Sequence, residues 1–307
     1  MNDLPWPLKA LVLTVIVVLY YKYAKSALFA LCRRAAHLLP FGRRWDASER
    51  GSVLELAAAG ASHVLVVAVL VLVTGVDLTR FAAGFDRPGL IALGAAIGVG
   101  EVALGSLLCR VLIEGVQAAG RRRAGSPAGG ARIGTRGGAR IGTRGGMRSG
   151  TRVEVRSGAR GDVRGARTTP ATAGGAADGA VESGERMRQW LGLSRGGWIR
   201  HHLKTMEVVS LPLALALTAT QVGSEEVVFR GLLLSWLREA GPFLAIGISC
   251  LLFTVMQVFL MSSWRAAMFP VVGAVVMGVT HSVLFWHYPV LIPLMVAHVV
   301  FFLFAVA

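Results

Sequence analysis

Seven segments of this chain are apolar over about the length needed to cross a bilayer: 8–31, 53–76, 89–113, 206–237, 242–261, 266–286 and 290–306. Inside lipid every backbone N–H and C=O must be satisfied within the chain, which leaves helices or a closed barrel, and continuous runs of this length read as helices. The expected fold is therefore all-α, a polytopic membrane helical bundle of seven transmembrane helices with a long disordered cytoplasmic loop. A hydrophobic content of 54% agrees with that class. The fourth segment is overlong, so it tilts, breaks near Gly223, or begins as an interfacial helix around 190–203. No small-residue cleavage site follows the first segment, which is flanked by Lys22 and Lys25, so it is read as a retained span rather than a signal peptide.

The net charge of +15 sits mostly in one place. Between Arg121 and Arg167 there are thirteen Arg against Glu154 and Asp162, and the stretch contains an eight-residue tandem repeat, 131–138 and 139–146. Glycine and like charge together forbid a packed core, so this segment is expected to be disordered. It lacks the interleaved aromatics on which bases stack, which argues against a nucleic-acid partner and for a solvated loop facing anionic lipid. Arg33, Arg34, Arg43, Arg44 and Arg50 in the first loop, the Arg-rich segment in the third and Arg265 in the fifth make these loops cytoplasmic, with the N-terminus outside. Three regions follow: a three-span membrane segment at 1–113, an Arg/Gly-rich linker at 114–187, and a second membrane domain at 188–307. Cys32, Cys109 and Cys250 have no paired spacing, so neither a disulfide framework nor a zinc knuckle is implied.

Within the fourth segment, Ser224 to Gly231 places two adjacent carboxylates and a guanidinium in a membrane setting, where ionisable groups mark function by default. On a helix Glu226 and Arg230 share a face and can pair, whereas Glu225 is turned about 100° away and is left for chemistry. A buried carboxylate suits a general base, but a purely structural cluster locking neighbouring helices uses the same residues. His298 lies within an apolar helix and must find a polar partner. Glu101 lies in a span where Gly94 and Gly98 are spaced for close helix packing, and it is read as a structural partner for Arg230 or another cation. His63 reads as hydrogen-bonded inside the bundle. His281 and His287, six residues apart near Trp286 and Tyr288, read as interfacial.

The Glu-Glu-x-x-x-Arg pattern, followed by Phe253 and a late His298, resembles the type II CAAX prenyl protease and bacteriocin-processing family of intramembrane endopeptidases. The resemblance covers residues 222–307. It implies that Glu225 activates water, with Glu226 and Arg230 completing the first motif and His298 polarising the scissile carbonyl. Gln257 stands where the family has His and Phe302 where it usually has Asn; Gln257 keeps an N–H donor for the carbonyl oxygen. Glu225 and His298 are too few for a three-ligand zinc site, so a site without a metal or other cofactor is favoured over one holding a divalent metal such as zinc. The implied substrates are membrane proteins or peptides, lipid-modified or sorting-tagged and cut near a terminus. The implied location is a bacterial inner (plasma) membrane. The alternative is a catalytically impaired member acting as a membrane scaffold or immunity factor. A proton-relay transporter built on Glu101 and Glu225 lacks the internal repeat many such folds carry.

Overall fold

A computed structural model describes residues 4–38, 44–81, 86–125, 192, 199–259, 261 and 263–306. Among these residues there is helix and no strand. The Arg/Gly repeats lie outside them.

The chain enters with α1 (Trp6–Val18), a π-helical turn (Leu19–Ala24) and α2 (Lys25–Leu38), which together form one rod. Proline in the first turn of α1 suits a position whose N–H would have no helical partner. The second rod, α3 (Ala47–Thr74), is bounded at both ends by its sequence. Asp46 and Glu49 form a reciprocal capping box, and Gly75 ends the helix in the left-handed region at φ 64°. The third, α4 (Pro88–Gly125), is 38 residues long and carries helix twelve residues past Ile113, the end of the third apolar segment.

The fourth apolar segment divides. A short amphipathic helix, α5 (Ile199–Val208), precedes α6 (Leu211–Glu226), and α6 continues without a break into a second π-helical stretch (Val227–Leu234). After it come α7 (Pro242–Phe259), α8 (Trp264–His287), capped by Ser263, and α9 (Ile292–Val306). Among the described residues five helices are long and apolar enough to cross a membrane: Trp6–Leu38, Ala47–Thr74, Pro88–Ala119, Pro242–Phe259 and Trp264–His287. The fourth and seventh expected spans fold instead as the divided segment and as a shorter apolar helix.

Large apolar side chains such as Leu65, Leu72, Leu107, Phe243 and Leu251 face outward, the arrangement of a bundle whose solvent is lipid. The protein is an integral membrane protein with an all-α fold. At its centre is the second π-helical stretch, whose residues Val228–Leu234 are all buried. Around it α3 packs on α5 and α6, α7 on α8, and α4 lies along α9 and α8. The α4–α9 contact depends on Gly94 and Gly98, as their spacing suggests. A Cβ on Gly94 would stand 2.4 Å from the Pro293 carbonyl oxygen, and one on Gly98 2.5 Å from that of Ala297.

Candidate active site

The paired glutamates end α6, at the point where the helix widens into its π-helical stretch. Such widened turns are frequent at functional sites. A neighbouring side chain compensates for the local loss of regular pairing, since Ser249 Oγ on α7 donates to the Phe229 carbonyl at 2.9 Å. Arg230 reaches back one turn, and its Nη1 donates to Glu226 Oε1 at 3.3 Å, the pair expected from their spacing. Arg230 Nη2 donates to the Met277 carbonyl at 3.2 Å, and the guanidinium stacks over Phe253 at 4.4 Å.

Glu226 is the hub of this half of the site. Besides Arg230 it faces two imidazoles: His298 Nδ1 lies 2.7 Å from Oε1, and His281 Nδ1 lies 3.0 Å from Oε2. A carboxylate only accepts, so both nitrogens are donors here. The opposite nitrogen of His281 lies 3.1 Å from Glu101 Oε1. Two carboxylates therefore flank one imidazole, a triad that requires a proton on each ring nitrogen or on Glu101. Phe253 meets His298 edge to face with ring centroids 5.8 Å apart, and Gln257 lies one turn further along α7, also buried.

Glu225 points elsewhere. Its Oε1 is 3.6 Å from His63 Nε2 on α3, and its Oε2 is buried with no hydrogen-bond partner. His63 is in turn fixed by three contacts. Its Nδ1 is 2.8 Å from the Ala59 carbonyl and 3.1 Å from Tyr20 Oη, and its Nε2 is 3.1 Å from Tyr21 Oη. Lys25, fully buried between the rings of Tyr21 and Phe29, adds a positive charge that acts on Glu225, His63 and His202. The first π-helical turn makes this possible, because it carries Tyr20 and Tyr21 to the same imidazole although they are adjacent in sequence.

The six polar side chains Glu225, Glu226, Arg230, Gln257, His281 and His298 are all buried, and Arg230, His281 and His298 meet at Glu226. His281 departs from its interfacial reading: it is wholly buried and bridges Glu226 to Glu101. Its neighbours Trp286 and Tyr288 suggested an interface, but α8 runs one and a half turns beyond it before ending. His298 is directed at Glu226, not at Glu225. Of the two kinds of partner its reading allowed, Arg230 or another basic group, Glu101 meets the second, His281. Lys25, Tyr20 and Tyr21 border Glu225 and His63 and were missed by sequence reasoning; the available signal was lysines and three tyrosines within one apolar rod. Phe302 packs against the His202 ring at 4.4 Å and beside Val222, so an apolar contact fills that place.

Among the described residues, no three His, Cys, Asp or Glu side chains converge as a metal-binding group. The imidazoles closest to such a role direct Nδ1 at Glu226. A second polar cluster lies towards the other end of α2 and α3. Glu55 pairs there with Arg33 at 2.7 Å and with His201, beside a cavity of about 590 Å³ also lined by His37, Asp46 and Lys204.

Residues 207–304, about a third of the chain, match the family model described as type II CAAX prenyl endopeptidase Rce1-like. No curated protein and no solved structure matches. The paired glutamates, the arginine and the late histidine all lie inside the matched stretch, so it is the C-terminal membrane region that is similar to the type II CAAX prenyl endopeptidase Rce1-like family of proteases.

Proposed function

We propose that this protein is an intramembrane endopeptidase that cuts peptide bonds near the termini of membrane-associated proteins, lipid-modified or sorting-tagged. Glu225 activates water, and His298 with Gln257 polarises the scissile carbonyl. The observation that carries this reading is the difference between two adjacent carboxylates. Glu226 already faces three donors, whereas Glu225 Oε2 is buried with no hydrogen-bond partner. A positioned carboxylate with an unused lone pair is what a general base requires.

In the proposed reaction the water oxygen attacks the carbonyl carbon while one of its protons passes to Glu225. The resulting oxyanion accepts hydrogen bonds from His298 and the Gln257 amide. Collapse breaks the C–N bond and returns the proton to the departing amine. His298 Nδ1 is committed to Glu226, so the hydrogen it gives the oxyanion is the one on Nε2. Glu225, Glu226 and His298 are 1%, 0% and 2% exposed, so helices must part to admit a substrate. The reading places the Arg-rich loop in the cytoplasm and the protein in a bacterial inner membrane.

The test is cleavage of a quenched-fluorescent farnesylated peptide ending in a CAAX sequence by the full chain in nanodiscs. Glu225→Gln should lower kcat by about 100-fold or more while the protein stays monodisperse. Undiminished cleavage by that variant overturns the reading. One observation favours the second reading, an impaired member serving as scaffold or immunity factor: Phe302 supplies no hydrogen bond where the family usually has Asn. Under that reading Glu225→Gln is silent in every functional assay.

A further inference from the structure

We propose that His63, on α3 and outside the stretch matched by the family, shares a proton with Glu225 and is the positioning residue that holds this glutamate ready to act as a base. The proposal rests on the endopeptidase reading for its consequence, but not for its geometry.

The geometry begins with the Ala59 carbonyl. It can only accept, and it lies 2.8 Å from His63 Nδ1, so that nitrogen carries a hydrogen. In the neutral ring Nε2 is then a bare lone pair. Nε2 faces two groups, Tyr21 Oη at 3.1 Å and Glu225 Oε1 at 3.6 Å. A lone pair opposite an ionised carboxylate is a repulsive contact in a dry interior, and a single proton between them removes it. The proton rests on Glu225 as a neutral acid or on Nε2 as an imidazolium, and in both states Tyr20 and Tyr21 hold the ring by their hydroxyls. The other ionisable groups around the pair are Lys25 on α2, Glu226 on the same helix and His298 on α9.

The pairing supplies what Gln257 cannot. A glutamine amide does not titrate, so it cannot take the pair's proton off Glu225. His63 can, because with that proton on Nε2 Glu225 is ionised and free to act as the base. Glu225 then takes a proton from water and passes it to the departing amine, with no other reagent consumed.

Two measurements test the inference. The first is ¹⁵N magic-angle-spinning NMR of the full chain labelled at histidine in nanodiscs, with the His63 signals identified by their loss in His63→Gln. The expected spectrum has Nδ1 protonated and Nε2 at an intermediate, proton-shared shift. In Glu225→Gln the Nε2 signal should move to the unprotonated position. An Nε2 signal that is the same in both proteins, or an unprotonated Nδ1, overturns the proposal. The second measurement uses the farnesylated CAAX peptide. His63→Gln should lower kcat about tenfold or more with KM unchanged and should flatten the acidic limb of the pH profile. A monodisperse His63→Gln protein with the wild-type kcat and pH profile also overturns it. Cleavage that survives Glu225→Gln sinks the endopeptidase reading instead, and the NMR experiment then decides the proton sharing alone.

Discussion

Among the described residues Arg230 is the largest fully buried side chain, and one carboxylate, Glu226, pairs with its guanidinium. Removing that charge leaves the guanidinium and two imidazole donors facing a weaker acceptor. Glu226→Gln should therefore destabilise the folded protein by about 3–5 kcal/mol, measured by thermal unfolding in detergent with size-exclusion monitoring. Arg230→Lys should fall well short of wild type, because an ammonium cannot both reach Met277 and stack on Phe253. Gln257→His should bring no gain in cleavage, since His63 already provides an imidazole for Glu225; a rate above wild type would show the glutamine to be a defect. At this scale the Glu226–Arg230 pair was legible because both partners lie one turn apart on one helix. Lys25, His63, His281 and Glu101 reach the site only when separate helices assemble, and no local pattern of hydropathy contains that information.

Two π-helical turns border the site, at Leu19–Ala24 and Val227–Leu234. Neither carries a proline or another local mark, so the sequence was silent on them, whereas the glycine stripe on α4 could be read directly from its spacing. Gly98→Ala tests that stripe. The added methyl would meet the Ala297 carbonyl, so α9 must shift, at a cost of about 1–3 kcal/mol, with His298 drawn off Glu226. A lower melting temperature together with reduced cleavage is the expected result. The short helix α5 carries His202, whose Nδ1 lies 3.0 Å from Thr218 Oγ1. Burial, reinforced by the charge on Lys25, holds this imidazole well below its ordinary range. The undocked helix binds a proton there more readily than the docked one. Docking is thus fully present above about pH 6.5 and weakens as pH falls below it. Hydrogen exchange across 199–208 should accelerate on going from neutral to mildly acid buffer, and the acceleration should be lost in His202→Phe.

Across the whole molecule, the stretch that matches the family is not the whole of the site. Glu225 and Glu226 lie within 207–304, but Tyr20, Tyr21, Lys25, His63 and Glu101 belong to the first three rods. Residues 199–307 expressed alone should neither fold stably nor cleave the farnesylated peptide, and co-expression with residues 1–125 should restore both. The class of fold was legible from apolar length alone, because lipid permits so few architectures. The division of the fourth segment was less so, since an amphipathic helix beside a buried one reads as a single long apolar run. The order of these parts along the chain also has a consequence for how the protein is made. A helix bearing Glu225, Glu226 and Arg230 is a poor candidate to enter lipid unaided, as each charge costs roughly 2.5–3.5 kcal/mol at mid-membrane. By the time a ribosome reaches it, the rods carrying Lys25, His63 and Glu101 have already been synthesised. The late helix can pass from the insertion machinery onto a waiting polar surface, so the N-terminal half serves as the template on which the rest of the enzyme is threaded into the bilayer.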